Sequence, residues 1–292
     1  MIELKGTGVA MVTPFDASGA IDFDALTKLT EHLIKGGVNY LVVMGTTGES
    51  VTLSRKEKYQ VLDCILASNK NRVPVVLGVG GNNTNEVCSQ LEKLNTEGLT
   101  AILSVSPAYN KPTQNGIYSH FEAVSKASPL PLILYNVPGR TASNIEADTT
   151  LRLAEDFENI VAIKEASGSL EQCMQIIKNR PNGFLVISGD DNFSLPLIAS
   201  GGDGVISVVA NALPEQYSKL IRASLGGDFE TARKIQYQLI DIVDLLFAEG
   251  NPAGVKCALR ELKICEENVR LPLVQVSDKL RKDLVGQLRS IH

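Results

Sequence analysis

Short apolar runs rich in β-branched residues alternate along most of the chain with longer segments whose apolar residues recur every three or four positions. The first pattern is typical of strands buried on both faces, and the second of amphipathic helices. Eight strand-helix units of even length predict a closed (β/α)₈ barrel, with an open doubly wound sheet as the alternative. The predicted strands are Gly8–Thr13, Tyr40–Met44, Val73–Val79, Leu99–Val105, Pro131–Tyr135, Ile160–Lys164, Phe184–Ser188 and Gly204–Val208.

The pattern changes near residue 226, after which apolar residues recur only at helical spacing. Asn251-Pro252 is typical of a helix start, with the asparagine as cap and the proline in the first turn. No linker rich in proline, glycine or serine separates two independent units. The chain therefore divides into a barrel domain, residues 1–225, and a C-terminal helical extension, residues 226–292.

Composition narrows the possible partners. The chain of 292 residues is 44% hydrophobic and carries a net charge of -5, so neither a nucleic acid nor an anionic membrane surface is expected to bind it. No apolar run approaches membrane-spanning length, and the N-terminal residues lack a secretory signal pattern. The 5 cysteines are odd in number and scattered, as expected of free thiols in a reducing compartment. We expect a cytoplasmic protein.

The sixth predicted strand ends on a lysine. Ile160–Ile163 is apolar throughout, and Lys164 follows it directly. Such a lysine either emerges into water, which is the usual situation, or is held in an apolar site where its free amine acts as a Schiff-base nucleophile. The residues at the neighbouring strand ends are needed to distinguish these two interpretations.

Polar residues follow several of the other predicted strands. Because the active site of a (β/α)₈ barrel lies at the carboxyl ends of its strands, these residues are expected to meet on one rim. The second strand leads into Gly45–Ser50, where glycines and paired threonines suit a small carboxylate or phosphate. The fourth strand leads to Tyr109, and the fifth to Tyr135 and Arg140. Two tyrosines, an arginine and Lys164 are therefore expected together.

Other chemistries lack the residues they need. The only histidines are His32, His120 and His292, so a Ser-His-Asp triad or a histidine-ligated zinc site is not expected. No Walker loop or dinucleotide fingerprint is present. Asp190 and Asp191, after the seventh strand, are interpreted as solvated carboxylates rather than as metal ligands. We expect neither a metal nor an organic cofactor.

Three motifs occur in order at these strand ends: Gly45–Glu49, Tyr135–Arg140 and Ile163–Glu165. Together they resemble the Schiff-base aldolases and lyases of the dihydrodipicolinate synthase and N-acetylneuraminate lyase superfamily, over essentially the whole chain. The resemblance is closer to the synthase branch. Sialic acid lyases are similar in the Tyr-Asn-x-Pro motif but usually lack the arginine found here as Arg140.

The resemblance implies a reaction between two small substrates. Lys164 would form an imine with the ketone of pyruvate, and the derived enamine would attack L-aspartate-4-semialdehyde, as in lysine and diaminopimelate biosynthesis. Thr46 and Thr47 would hold the pyruvate carboxylate. Tyr135 would move protons, with the Thr47 hydroxyl passing them to Tyr109.

The resemblance also implies further site residues and an assembly. Arg140 would bind the carboxylate of the aldehyde substrate, and Gly189 and Ile206 would line the site. Tyr109 would reach into the site of a neighbouring subunit. A homodimer is therefore implied, commonly paired into a homotetramer.

Two other functions remain open from the residues. One is a different 2-keto-acid aldolase, such as an N-acetylneuraminate or 2-keto-3-deoxy-sugar-acid lyase, against which Arg140 argues because a sugar calls for neutral hydroxyl-binding groups. The other is a catalytically silent barrel that binds a small acid. Lys164 argues against that alternative, since a binder has no use for a desolvated amine.

Family members that lysine inhibits bind it in a cleft at the dimer interface, and the resemblance places this cleft at Ser50–Lys58, at Gly80–Glu86 and at the residue before Tyr109. This chain departs from the inhibited members there. Ala108 replaces a tyrosine, Asn82 replaces an aspartate, and Lys58 replaces a histidine or glutamate. An aromatic wall and a carboxylate are lost and a like charge is gained, which predicts weak or absent inhibition by lysine.

Overall fold

The chain folds into a closed barrel of eight parallel strands, described for residues 4–291 by a computed structural model. The strands pair in chain order, and the eighth pairs with the first, so the predicted (β/α)₈ barrel is confirmed and the open sheet is excluded. Residues 1–3 and the histidine at position 292 lie outside the described residues. The strands are β1 Gly6–Ala10, β2 Tyr40–Val43, β3 Val75–Gly78, β4 Ala101–Val105, β5 Leu132–Asn136, β6 Ile160–Glu165, β7 Leu185–Ser188 and β8 Gly204–Ser207.

Helices follow the strands and continue beyond the barrel. Helix α4, Gln114–Ala127, has a polar first turn, and Thr113 caps it by accepting a hydrogen bond from the amide of Gly116. The helices are α1 Phe23–Lys35, α2 Arg55–Asn69, α3 Thr84–Glu92, α4 Gln114–Ala127, α5 Pro138–Thr141, α6 Ala147–Asp156, α7 Leu170–Asn179, α8 Ser194–Ala199, α9 Pro214–Leu225, α10 Phe229–Phe247, α11 Ala253–Glu261 and α12 Asp278–Ile291.

The core has two layers, because alternate residues of each strand point to opposite faces. One layer lies between the barrel and its helices. The other fills the barrel and includes Tyr40, which is completely buried. Gly8 makes room for this ring: a Cβ at Gly8 would lie 2.2 Å from Tyr40 Cε2. The barrel interior is therefore packed around this ring.

The C-terminal helices pack on one another and on the barrel. α10 contacts α9, α11 and α12, and buries one apolar face that includes Leu239, Ile242 and Leu246. All 5 cysteines are free thiols, as predicted, and three of them are buried. Within residues 4–291, no helix combines the length and the apolar character that a membrane crossing requires.

A pH dependence of stability is expected from His120 on α4. Burial lowers the pKa of this imidazole from 6.5 to about 4, and its Nδ1 lies 2.9 Å from Thr84 Oγ1. His120 takes up a proton near pH 6.5 in the unfolded chain and only near pH 4 in the folded chain. The contribution of neutral His120 to the free energy of unfolding is therefore complete above pH 6.5 and is lost as pH falls toward 4. The loss amounts to roughly 3 kcal/mol in the free energy of unfolding.

Denaturant unfolding at a series of pH values measures this loss. We expect His120→Gln to flatten the curve between pH 6.5 and 4. Burial also lowers the pKa of His32, so part of the slope will remain in that variant. A curve identical to that of the parent protein would contradict the assignment to His120.

Candidate active site

Tyr135 and Lys164 face each other across the β5–β6 ladder. The two residues are register partners, and Lys164 Nζ lies 4.2 Å from the centroid of the Tyr135 ring. Lys164 is 5% exposed and Tyr135 is 7% exposed, so the lysine is held within the protein rather than emerging into water. An ammonium over an aromatic face is stabilised by the ring quadrupole, which offsets part of the cost of desolvation.

The adjacent residues hold the same two strands together on the outer face of the barrel. Asn136 Nδ2 donates to both carboxylate oxygens of Glu165, each at 3.1 Å. Gln172 Nε2 and the Ser167 amide donate to the same carboxylate, each at 2.8 Å. Burial raises the pKa of Glu165, although these hydrogen bonds oppose the rise. The network therefore fixes the register that places Tyr135 beside Lys164.

The segment after β2 forms a short 3-10 turn, Thr46–Gly48, that ends at Glu49. Thr46 is exposed and Thr47 is buried. The hydroxyl oxygen of Thr47 accepts a hydrogen bond of 2.9 Å from Asn251 Nδ2. The turn thus places two neighbouring threonines at the carboxyl end of the barrel, and Thr47 is hydrogen-bonded to the C-terminal extension.

A cavity of about 640 Å³ opens at this end of the barrel. Most of the residues predicted for the site line it, together with side chains of the extension. Ile206 is an exception: it is buried inside the barrel in the same apolar cluster as Tyr135. The predicted residues that line the cavity are Thr46, Thr47, Tyr135, Arg140, Lys164 and Gly189, and the extension adds Val243, Asp244, Phe247, Ala248 and Asn251.

Gly189 provides space beside the lysine. A Cβ at this position would lie 3.0 Å from Lys164 Cε and 2.7 Å from Ala166 Cβ. Both distances are shorter than ordinary van der Waals contacts. A larger residue would therefore force the Lys164 side chain aside, and glycine leaves the amine free to reach the cavity.

Tyr109 does not line the cavity of its own chain. Its side chain is 90% exposed and its φ is 70°, while its amide donates to Thr141 O at 3.1 Å. Asn82 braces the preceding residue, Ala108, by two hydrogen bonds of 2.7 and 2.8 Å. The backbone is thus held on both sides while the phenol points away from the protein.

A second cleft, of about 400 Å³, adjoins the first. Thr46 and Tyr135 line both spaces, whereas Thr47 and Lys164 line only the first. The second cleft is also lined by Ser50, Val51, Arg55, Lys58 and Tyr59.

Two expectations about individual residues are wrong. Asp191 is buried rather than solvated, and it accepts hydrogen bonds from Ser207 Oγ and from the amides of Val208 and Val209, which fixes the end of β8. Asn251 does not cap α11, whose N-cap is Pro252. No local pattern distinguishes a capping asparagine from one that bonds to a residue 204 positions away.

A buried lysine and a tyrosine at the carboxyl end of a (β/α)₈ barrel are typical of a Schiff-base lyase. Comparison with known proteins indicates the same class of enzyme. A model described as the dihydrodipicolinate synthetase family matches residues 3–291. A 4-hydroxy-tetrahydrodipicolinate synthase of Flavobacterium psychrophilum is 50% identical over 279 residues, which cover 96% of this chain and 95% of the relative. The chain belongs to the dihydrodipicolinate synthetase family.

Solved structures show the same relationship. The crystal structure of dihydrodipicolinate synthase from Aquifex aeolicus superimposes with a TM-score of 0.94 at 41% identity, covering 98% of both chains. The structure of a monomeric dihydrodipicolinate synthase variant gives a TM-score of 0.95 at 36% identity, covering 98% of this chain and 96% of that one.

The function follows from these relationships. The chain is a lyase that condenses pyruvate with L-aspartate-4-semialdehyde through a lysine Schiff base, in lysine biosynthesis. The comparisons do not favour the N-acetylneuraminate or sugar-acid lyase alternative.

Proposed function

We propose that Lys164 is the lysine that forms the Schiff base. The observation that carries this proposal is the position of Lys164 Nζ, buried over the Tyr135 ring in a cavity of about 640 Å³. The amine attacks the ketone carbon of pyruvate, water leaves, and an imine forms. The imine withdraws electrons from the neighbouring methyl carbon, which then loses a proton to give an enamine. The enamine carbon forms the new bond to the aldehyde carbon, whose oxygen takes up a proton.

We infer that the two carboxylates of the substrates occupy opposite sides of the cavity. Gly45, Thr46 and Thr47 supply amides and hydroxyls for the carboxylate of pyruvate, which holds the methyl group near Tyr135. Arg140, on the short helix α5, supplies a guanidinium that can bind the carboxylate of the aldehyde by two parallel hydrogen bonds. Gly189 leaves room for the imine, and Ile206 lies in the same buried apolar cluster as Tyr135.

The reaction is tested by a coupled assay. The protein is supplied with pyruvate and L-aspartate-4-semialdehyde, and consumption of both substrates is followed beside a parallel N-acetylneuraminate cleavage assay. Turnover in the first assay and none in the second is the expected result. Cleavage of N-acetylneuraminate at a comparable rate would contradict the proposed substrate pair.

The hydroxyl that passes protons from Tyr135 is expected on one of the two threonines. The family resemblance implies Thr47, but Thr46 and Tyr135 border both clefts, and the Thr47 oxygen already accepts from Asn251. We therefore expect Thr46→Val to lower kcat about 10²-fold or more, the low end of proton-transfer effects. We expect Thr47→Val to raise mainly the KM for pyruvate. If steady-state kinetics instead show the loss of kcat in Thr47→Val and the rise in KM in Thr46→Val, Thr47 is the residue that passes the protons.

We propose a homodimer, or a homotetramer built from two such dimers, in which Tyr109 completes the site of the partner subunit. The exposure of Tyr109 in its own chain and the cleft beside Thr46 and Tyr135 support this arrangement. We also propose a cytoplasmic location, and a division of the chain into a catalytic barrel domain, residues 1–225, and a C-terminal helical extension, residues 226–292.

Weak or absent inhibition by L-lysine is expected. The second cleft presents Arg55 and Lys58, two cations that repel an ammonium, and Ala108 offers no aromatic wall for the carbon stem of the ligand. Millimolar lysine is therefore expected to leave most of the activity, corresponding to a Kd well above about 1 mM. Titration of lysine into the coupled assay measures this. Strong inhibition well below that concentration would show that the cleft binds lysine despite these changes.

A further inference from the structure

Lys256 is a second buried lysine, and it lies outside the proposed chemistry. It belongs to α11 and is completely buried, and its Nζ lies 2.6 Å from Glu49 Oε1. The same Nζ donates to Asn268 O at 2.8 Å and lies 4.1 Å from the centroid of the Phe15 ring. The lysine therefore joins the C-terminal extension to the barrel through an ion pair closed to solvent.

Glu49 connects this ion pair to the substrate-binding turn. It ends the Thr46–Gly48 turn with a φ of 51°, which is unfavourable for a residue other than glycine. Its second carboxylate oxygen accepts a hydrogen bond of 2.9 Å from the Arg270 amide. Both oxygens of Glu49 are thus engaged by the extension, and they hold a strained backbone two residues from Thr47.

Stability alone does not account for such a pair. Removing two charges from water costs about as much as their attraction returns, so apolar residues of similar volume often serve the fold equally well. What is unusual about the Lys256–Glu49 pair is its position next to the substrate-binding turn. Asn251 bonds to Thr47 and Lys256 bonds to Glu49. The residues at the start of α11 therefore contact the Thr46–Gly48 turn at two points, one on each side of Gly48.

We propose that Lys256 is a positioning residue for the 2-keto-acid carboxylate, acting through Glu49. The ion pair holds the turn in the one conformation in which the amides and hydroxyls of Thr46 and Thr47 converge on that carboxylate. The C-terminal extension is then part of the pyruvate site, although Lys256 does not touch the substrate. This inference rests on the proposed role of the turn in binding pyruvate.

The double variant Glu49→Gln/Lys256→Met tests the proposal, because it removes both charges together and nearly keeps the volume. We expect the pyruvate concentration that gives half-maximal borohydride-trapped adduct to rise about tenfold or more, since small displacements of positioning groups have effects of this size. The KM for the aldehyde is expected to change much less. A folded double variant with an unchanged pyruvate dependence would overturn the proposal.

A matched control comes from another ion pair of the extension. Glu267 is buried and pairs with Arg281, and neither residue lines the cavity. We expect Glu267→Gln/Arg281→Met to lower the unfolding temperature and to leave the pyruvate dependence unchanged. An equal rise in this control would show that general destabilisation, rather than positioning, is being measured.

Two further measurements keep the test decisive. Glu49→Leu/Lys256→Met replaces the first double variant if the latter does not fold, because two apolar residues of similar volume leave no buried charge without a partner; a rise in half-saturating pyruvate is expected there too, and no rise would overturn the proposal. Adduct formation by the parent protein is measured in parallel. Its absence would overturn the proposed pyruvate chemistry itself, whereas an adduct with unshifted variants overturns only the role of Lys256.

Discussion

Borohydride added with pyruvate is expected to leave a reduced three-carbon adduct on Lys164. The imine is the reducible species, and Lys164 is the lysine whose side chain lines the cavity beside Tyr135. Lys164→Ala should therefore carry no adduct. Its kcat should fall on the order of 10³-fold or more, as expected when a covalent nucleophile is removed. Peptide mass analysis after reduction locates the adduct.

Two other lysines provide controls. Lys178 is exposed on α7, and Lys178→Ala should label and turn over as the parent protein does. Lys256 is as buried as Lys164, but it is paired with Glu49 and does not line the cavity. We therefore do not expect burial alone to make Lys256 a nucleophile. An adduct on Lys256, or on any lysine other than Lys164, would contradict the assignment.

The barrel and the residues at the carboxyl ends of its strands can be predicted from the sequence because they depend on local patterns. Apolar runs that alternate with segments of helical period predict the succession of eight strands and their helices. Parallel pairing places the carboxyl ends of neighbouring strands together, which predicts that Tyr135 and Lys164 lie near each other, and the two are register partners. Their roles in the reaction stay predictions, as do those of Thr46, Thr47 and Arg140.

The contacts that hold the site residues in place cannot be predicted from local patterns. Asn251 bonds to Thr47 and Lys256 bonds to Glu49 across more than two hundred positions, and neither residue stands out locally. Asp191 was interpreted as solvated because adjacent acidic residues on a turn usually are, yet three donors around the end of β8 accommodate its carboxylate. Such pairings depend on the packing of the extension against the barrel, which periodicity does not specify.

Tyr109→Phe is expected to lower kcat about 10²-fold, within the usual range for loss of a group that transfers protons. The phenol is 90% exposed in its own chain, so we expect its contribution to depend on a neighbouring subunit. The adduct at Lys164 should still form, because the amine and the carboxylate-binding turn are intact. Loss of the adduct in Tyr109→Phe would instead indicate a folding defect or a role in imine formation.

Mixed subunits test whether Tyr109 acts across an interface. In a dimer of one Tyr109→Phe chain and one Lys164→Ala chain, the first chain keeps Lys164 and receives Tyr109 of the partner subunit, so one of the two sites is complete. With free exchange, half of the dimers are such hybrids, and activity should recover to about a quarter of the parent value. Replacing the Lys164→Ala chain with one that carries both substitutions removes every complete site and should abolish the recovery. If subunit exchange is confirmed by mass and activity still does not recover, Tyr109 does not complete the partner's site.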